Sequence, residues 1–347
     1  MTFSEKIIRL IRNTFDTVLY FAVMAVKEDF RNYVGRAGRT PGADAGQAGL
    51  GREREVSGPA AEDSGGVPGG VQTGRPRETM AVLGNGPSLT RELPGLLERT
   101  GDRDFMAVNF FALDERFTLL RPAYYVLSDP MFFRESAFRD RVAGLYRAMN
   151  GRVSWPMTLY VQYYNPERFD YRAVLPNPLI RIVPFHTYMY RGFRSVEFWL
   201  FRRGLGSANF GTVVQVGEYV ALLLGYRRVE LYGVDHTLLE GLCVDGRNRL
   251  CRADRHYYDA GAPAASQPVL RKVPPVPYTM ASYLAEVAEL FRGHEVLRDY
   301  AASLGARIVN CTRGSMIDAY ERAAEPPEMS PRTKIAPVGA TSDGGES

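Results

Sequence analysis

The stretch Val82-Leu83-Gly84-Asn85-Gly86-Pro87-Ser88-Leu89 decides the fold of this chain. It closes an apolar run that begins at Thr79, and its two glycines let the backbone turn tightly and approach a ligand. Pro87 and Ser88 suit the first turn and the cap of a following helix. Because the N-terminus of a helix attracts anions, this turn predicts a site for the phosphate of a nucleotide or nucleotide-linked substrate, with a tight turn and an ordinary helix cap as the alternative. The predicted binding residues are Gly84, Asn85, Gly86, Pro87 and Ser88.

Beyond this turn, short apolar runs alternate with stretches of helical periodicity. Such alternation predicts an α/β fold, a Rossmann-like, mostly parallel sheet of about seven strands with helices on both faces, over residues 78–325. In such sheets ligands bind at the carboxyl ends of the strands. The predicted strands are 79–84, 105–109, 123–129, 158–162, 180–184, 229–235 and 307–310, and the predicted helices are 89–98, 213–224 and 279–304.

The segments outside this domain have a different composition. Residues 1–35 are predicted to contain an amphipathic helix, whose apolar run over 17–26 is too short for the roughly 20 residues that span a bilayer. The neighbouring cations Lys6, Arg9 and Arg12 are compatible with a helix on an anionic membrane surface, and packing on the main domain or a partner chain is the equal alternative. Residues 36–77 and 326–347 are predicted to be a disordered linker and a disordered tail.

Charge and cysteine content exclude several classes of protein. The net charge of +4 is modest and the basic residues are interspersed with acidic ones, which argues against nucleic acid as a partner. Cys243, Cys251 and Cys311 are too few and too scattered for a disulfide framework, so a reducing compartment is expected. We therefore expect a cytoplasmic protein, which the membrane alternative for residues 1–35 would make peripheral at the inner face of the cytoplasmic membrane. The oligomeric state stays open.

Polar residues follow three of the predicted strands. Asn109 follows the second strand, Asp129 the third, and Gly233 and Asp235 lie in Leu231-Tyr232-Gly233-Val234-Asp235-His236. Since the carboxyl ends of parallel strands share one edge, these groups are expected to lie near the glycine turn and to orient a base, a ribose or an acceptor hydroxyl. The alternative for Asn109 and Asp129 is that each only caps the end of its strand.

A second set of polar residues follows in Arg255-His256-Tyr257-Tyr258-Asp259, after a polar stretch over 242–252 that predicts a loop or lid. His256 is the candidate general base because imidazole titrates near neutral pH. No spacing of Cys or His matches a transition-metal site. Asp129 and Asp235 are the candidates for a nucleotide-associated Mg²⁺.

The last candidate segment is Asn310-Cys311-Thr312-Arg313-Gly314-Ser315, a small polar loop after the final predicted strand. Its amides and hydroxyls, above all those of Asn310, Thr312 and Ser315, suit a phosphate or the edge of a base. A strand-to-helix turn capped by Ser315 is an equal alternative.

These segments together, over residues 79–322, resemble a bacterial family associated with cell-surface polysaccharide genes and labelled by its similarity to 6-hydroxymethylpterin diphosphokinase. Their layout is also similar to that of bacterial sialyltransferases that use CMP-activated sialic acid. That resemblance implies donor binding by Gly84 to Ser88 and Asn109, contact with the cytidine nucleotide by the loop at Asn310, and proton abstraction by His256. It also implies tyrosines at the leaving phosphate, for which Tyr257 and Tyr258 are the substitutes present here.

The expected function is therefore that of a glycosyltransferase of cell-surface polysaccharide synthesis, with a nucleotide-sugar donor, perhaps CMP-linked, and a glycan acceptor. Two alternatives stay open. One is a Mg²⁺- and ATP-dependent diphosphotransferase, the only case in which a Mg²⁺ cofactor is expected. The other is a non-catalytic nucleotide-binding scaffold, because Phe210 and Thr237 stand where the sialyltransferases have functional residues.

Overall fold

The computed structural model describes residues 3–26, 78–134, 136, 138–162, 169–186, 188–252, 266–271 and 276–323. The predicted linker over 36–77 and the predicted tail over 326–347 lie outside these ranges.

The described α-helices include the three predicted in the main domain. They are α1 (Phe3–Val26), α2 (Leu89–Leu97), α3 (Phe117–Leu120), α4 (Arg139–Arg152), α5 (Tyr171–Val174), α6 (Arg194–Arg202), α7 (Val213–Leu223) and α8 (Met280–Ser303). The strands are β1 (Thr79–Leu83), β2 (Asp104–Val108), β3 (Tyr124–Leu127), β4 (Met157–Gln162), β5 (Ile180–Phe185), β6 (Arg228–Tyr232), β7 (Cys243–Val244), β8 (Leu250–Arg252), β9 (Gln267–Pro268), β10 (Arg307–Asn310) and β11 (Glu321–Arg322).

The main sheet confirms the predicted α/β fold. Its eight strands lie in the order β11-β10-β6-β1-β2-β3-β4-β5, and every neighbouring pair is parallel. All seven predicted strands are present, and the eighth, β11, has only 2 residues and so carries no apolar run that a sequence pattern could reveal.

Both faces of the sheet are covered by helices. Successive residues of a strand point to opposite faces, so Met80 and Val82 of β1 join one core with α6, α7 and α8, while Ala81 and Leu83 join the other with α2, α3 and α4. On the first face α7 lies close to the sheet at Gly217, where a Cβ would be 3.1 Å from Val82 Cγ1. Burial on both faces explains why the strands read as continuous apolar runs.

The stretch predicted as a polar loop over 242–252 forms a hairpin. Strands β7 and β8 pair antiparallel, with Cys243 opposite Cys251, and β9 adds to β8. The turn is built on Asp245, whose carboxylate accepts from the amides of Arg247 and Arg249. The polar composition thus marks a hairpin turn rather than an irregular loop.

Helix α1 packs on the main domain through one side. Thr17 Oγ1 lies 2.6 Å from Tyr190 Oη, and Tyr20 and Met24 are buried with Tyr190 and Leu200. Apolar residues on the other side of α1 are exposed, with Phe15 at 66%: Ile7, Ile11, Phe15, Val18 and Leu19. Among the described helices none is both long and apolar enough to cross a membrane.

Candidate functional site

The crevice of the sheet lies where the strand order reverses. From β1 the chain proceeds to β2 on one side, whereas β6 returns on the other side of β1. The carboxyl ends of β1 and β6 therefore flank the position at which open α/β sheets bind ligands.

The glycine turn after β1 is bonded to the end of β6. Gly84 N donates to Tyr232 O at 2.7 Å, and Gly86 N donates to Gly233 O at 2.8 Å. The two backbones are so close that a Cβ on Gly84 would lie 2.3 Å from Gly233 O. Gly233 has φ +64°, in the left-handed region that glycine tolerates. The glycines thus serve a backbone-to-backbone contact at the crevice.

Two carboxylates occupy the backbone donors around this contact. Asp235 Oδ2 accepts from Ser88 Oγ at 2.9 Å and from Ser88 N at 3.4 Å, so the Ser88 hydroxyl binds Asp235 instead of capping α2. Glu92, in the first turn of α2, accepts from Gly233 N at 2.7 Å and from Arg313 N at 3.4 Å. Burial raises the pKa of both carboxyls, against the lowering effect of these hydrogen bonds. The protein's own negative charge therefore lies where the sequence predicted a phosphate.

Two carboxamides at this edge have an unused acceptor. Asn85 Nδ2 donates to Val108 O at 3.3 Å, and Asn109 adopts φ +51° with its carbonyl accepting from Tyr125 Oη at 2.7 Å. The Oδ1 atoms of both Asn85 and Asn109 are buried and have no hydrogen-bond partner in the described part of the chain. A buried acceptor without a partner costs about 1–3 kcal/mol, which a ligand donor recovers.

The loop after β10 holds the end of β6 in place. Thr312 Oγ1 accepts from Val234 N at 3.0 Å, and Ser315 Oγ donates to Val234 O at 2.7 Å. Asn310 Nδ2 donates to Ile317 O at 3.2 Å, and all three side chains are buried. Asn310, Thr312 and Ser315 lie beside the crevice, but these hydrogen bonds direct their side chains to the protein backbone.

The other predicted residues are placed as follows. Asp129, after β3, accepts from Met131 N at 3.0 Å and caps the 3₁₀ turn over Pro130–Phe132. His256, Tyr257 and Tyr258 lie outside the described residues. Within the described ranges no three His, Cys, Asp or Glu side chains gather as a metal site, although Asp235 lies at the crevice and Mg²⁺ favours carboxylate oxygens.

Sequence reasoning missed Glu92 and a buried polar chain next to the crevice. This series of hydrogen-bonded side chains begins at His236, directly after Asp235, and continues through His294 and Tyr320 to Glu218. The one visible signal is Glu218 itself, a carboxylate within the apolar helix α7. Its partners come from α8 and the C-terminal segment, which only the tertiary fold brings together.

Comparisons with known proteins give one solved structure to report. No protein-family model matches the chain, and neither does any curated protein. The structure of MAf glycosyltransferase from Magnetospirillum magneticum AMB-1 is similar with a TM-score of 0.41 and 16% sequence identity. The similarity covers 73% of this chain and 34% of that protein. This chain thus spans about a third of the length of that glycosyltransferase.

Proposed function

We propose that this protein is a glycosyltransferase of cell-surface polysaccharide synthesis, which binds a nucleotide-activated sugar, with CMP as the first candidate nucleotide, at the carboxyl ends of β1, β2 and β6. The observation that carries the proposal is the pair of unpartnered, buried acceptors Asn85 Oδ1 and Asn109 Oδ1 at the crevice. The amino group of the base and the hydroxyls of the sugar in such a nucleotide-sugar can donate hydrogen bonds to these two oxygens.

The local charges favour the nucleoside over the phosphate as the group bound next to the glycine turn. The amides of Gly84, Gly86 and Ser88 already donate within the protein. The carboxylates of Glu92 and Asp235 repel a phosphate but accept hydrogen bonds from ribose hydroxyls. The phosphate is then expected further from α2.

Transfer also requires an acceptor for the proton of the attacking hydroxyl. The family resemblance assigns that role to His256, and His256→Ala tests the assignment: loss of transfer with nucleotide affinity nearly unchanged would support it. Loss of nucleotide binding with the fold intact would exclude this role for His256.

The nucleotide is tested by the thermal shift of the full chain with CMP, CDP, UDP, GDP and ATP, each with and without Mg²⁺. At a hundred times its dissociation constant a ligand adds about 2.7 kcal/mol, a rise on the order of 5–10 °C. We expect a metal-independent rise with CMP. A rise with ATP alone that needs Mg²⁺ would favour the diphosphotransferase, and binding without turnover of CMP-linked sugars would favour the scaffold.

The site is tested by Asn85→Ala and Asn109→Ala, each expected to weaken CMP binding about tenfold through loss of one hydrogen bond. Asn150→Ala is the matched control. Asn150 Nδ2 also donates to a carbonyl, Val174 O at 2.9 Å, and its Oδ1 is likewise buried without a partner among the described residues. Asn150 lies in α4, and its backbone oxygen accepts from Asn177 Nδ2 in the segment that precedes β5. It is therefore near the amino ends of the strands, away from the crevice at their carboxyl ends. Equal effects of all three variants would contradict a site at the crevice.

We further propose that the exposed apolar side of α1 lies on an anionic membrane surface. Ile11, Phe15 and Val18 are each more than 60% exposed. Lys6, Arg9 and Arg12 of the same helix are also exposed. An apolar face flanked by cations is typical of helices that lie in the plane of the membrane.

A further inference from the structure

The polar chain beside the crevice consists of four side chains in direct hydrogen-bond contact. His236 Nε2 lies 3.1 Å from His294 Nε2, and His294 Nδ1 lies 3.0 Å from Tyr320 Oη. The Tyr320 hydroxyl donates to Glu218 Oε2 in a short hydrogen bond. The members come from the loop after β6, from α8, from the segment before β11 and from α7. No local sequence requirement explains such an arrangement.

Burial of these polar side chains destabilises the fold unless each hydrogen bond among them pairs a donor with an acceptor. His294 and Glu218 are fully buried and Tyr320 is 6% exposed, whereas His236 is only partly buried. Glu218 Oε1 has no hydrogen-bond partner in the described part of the chain and lies 3.4 Å from His294 Nδ1. Among the four side chains His236 is therefore the one through which the chain meets ligand or solvent.

The direction of one bond fixes all the others. Because the Tyr320 hydroxyl donates to Glu218, its oxygen accepts from His294 Nδ1–H. The Nε2 atom of His294 is then an acceptor and receives the Nε2–H of His236. A neutral imidazole carries one N–H, so the Nδ1 atom of His236 is left with a free lone pair.

We propose that His236, His294, Tyr320 and Glu218 form a proton relay. His236 Nδ1 accepts the proton of the attacking hydroxyl at one end, and Glu218 becomes protonated at the other end. One proton binds His236 Nδ1, and the Nε2 proton of His236 moves to His294 Nε2. The Nδ1 proton of His294 then moves to Tyr320, whose own proton moves to Glu218. Each ring and the tyrosine end neutral, and the carboxylate becomes a carboxylic acid.

The electrostatics of the surroundings support this route. Burial, and secondarily the neighbouring His294, lower the pKa of His236 to about 3, so its ring resists a lasting positive charge. Burial also raises the pKa of Tyr320, and the adjacent Glu218 raises it further, while Arg298 of α8 opposes this. Neither an imidazolium at His236 nor a tyrosinate at Tyr320 is therefore favoured. His236 also has φ +50°, a strained conformation that clusters at functional sites.

The relay is tested first without any substrate. The chain has 4 histidines, so ¹⁵N-histidine labelling gives few ring signals, each assigned by one substitution. In the full-length protein we expect a scalar coupling between the two Nε2 nitrogens across their hydrogen bond. On acidification the His236 proton should move from Nε2 to Nδ1 while the ring stays neutral, together with an infrared band of a protonated carboxyl.

Glu218→Gln should abolish both the tautomer change and the carboxyl band. Glu197→Gln is the matched control, because Glu197 is a buried carboxylate of α6 that pairs with Arg194 outside the relay. Formation of a His236 imidazolium, or no coupling between the Nε2 atoms in the wild-type protein, would overturn the relay. The measurements on the wild-type protein test the relay even if Glu218→Gln does not fold.

The catalytic part rests on the proposed function and is tested by release of CMP from CMP-N-acetylneuraminic acid. His236→Gln should lower the rate at least a hundredfold, as expected for loss of a general base, with CMP affinity unchanged. If His236→Gln is active and His256→Ala is not, the relay is overturned as the proton acceptor while the glycosyltransferase stands. If the wild-type chain neither binds CMP nor releases it, the proposed function fails, and the tautomer measurement still judges the relay.

Discussion

Asn85 and Asn109 differ from the other predicted polar residues in what their side chains leave free. Both have a buried amide oxygen without a partner in the described part of the chain. The hydroxyls of Thr312 and Ser315, by contrast, form hydrogen bonds with the backbone of Val234. The sequence pattern could locate all four at the carboxyl edge, because parallel strands end together there. It could not separate ligand contacts from backbone supports, since that distinction depends on which hydrogen bonds the fold has already satisfied.

Buried His186 is expected to make stability depend on pH. Burial lowers its pKa to about 4, and its Nδ1 accepts from Tyr188 N at 3.1 Å, a bond that protonation breaks. Between pH 4 and roughly 6.5 the unfolded chain thus binds a proton that the folded chain does not. The free energy of unfolding should fall as pH is lowered through this window, by roughly 3 kcal/mol in total from this residue.

Urea unfolding of the wild type and of His186→Asn, whose Oδ1 replaces the Nδ1 acceptor, measures this effect. The variant should lose less stability between pH 6.5 and 4, while above pH 7 the two proteins should show the same pH dependence. Parallel curves over the whole range would contradict a neutral, buried His186.

At the scale of elements, the contact between the glycine turn and the end of β6 is expected to be intolerant of side chains. A Cβ on Gly84 would meet the Gly233 carbonyl, a backbone group with little freedom to move. Gly84→Ala should therefore cost about 1–3 kcal/mol of stability, and we expect it to abolish CMP binding. Chemical unfolding and CMP titration measure the two effects.

Gly95→Ala provides the control for this prediction. Gly95 lies in the next element, α2, and a Cβ there would have no atom within 4 Å. Alanine should stabilise the protein by about 0.4–1 kcal/mol at this exposed helical position. Similar losses at both glycines would mean that the strand contact is not the cause.

The elements that escaped prediction share a physical reason. Helix α4 has four buried residues, Val142, Leu145, Tyr146 and Met149, at helical spacing among arginines and glycines that lower its mean hydropathy. Strands β7, β9 and β11 have 2 residues each, less than one period of alternation. The relay has no sequence pattern, because its four members come from α7, α8, the loop after β6 and the segment before β11. Long apolar elements were predictable, whereas short elements and tertiary polar contacts were not.

At the scale of the whole molecule, docking of α1 leaves an apolar surface that no other described residue covers. Phe15→Glu should lower binding to phosphatidylcholine vesicles containing phosphatidylglycerol by about tenfold or more, because a buried Phe contributes about 2 kcal/mol. Co-sedimentation measures the binding. Vesicles without the anionic lipid should bind the wild type less.

Leu284→Glu makes the same change of charge at another exposed apolar side chain, on α8, and should leave vesicle binding unchanged. A chain that ignores vesicles but is a dimer that Phe15→Glu dissociates would make this surface an interface between copies. That result would overturn the membrane proposal without affecting the crevice.

The position of β1 in the sheet also governs how the protein folds. Thr79 in β1 pairs with Arg228 in β6, which in turn pairs with Arg307 in β10. During synthesis β1 through β5 emerge first from the ribosome. One edge of β1 stays unpaired until β6 has been synthesised much later. Pairings between such distant segments form slowly. A chain interrupted before β6 would expose this edge to aggregation, so nascent fragments are expected to depend on chaperones. The crevice itself forms only when β6 pairs with β1.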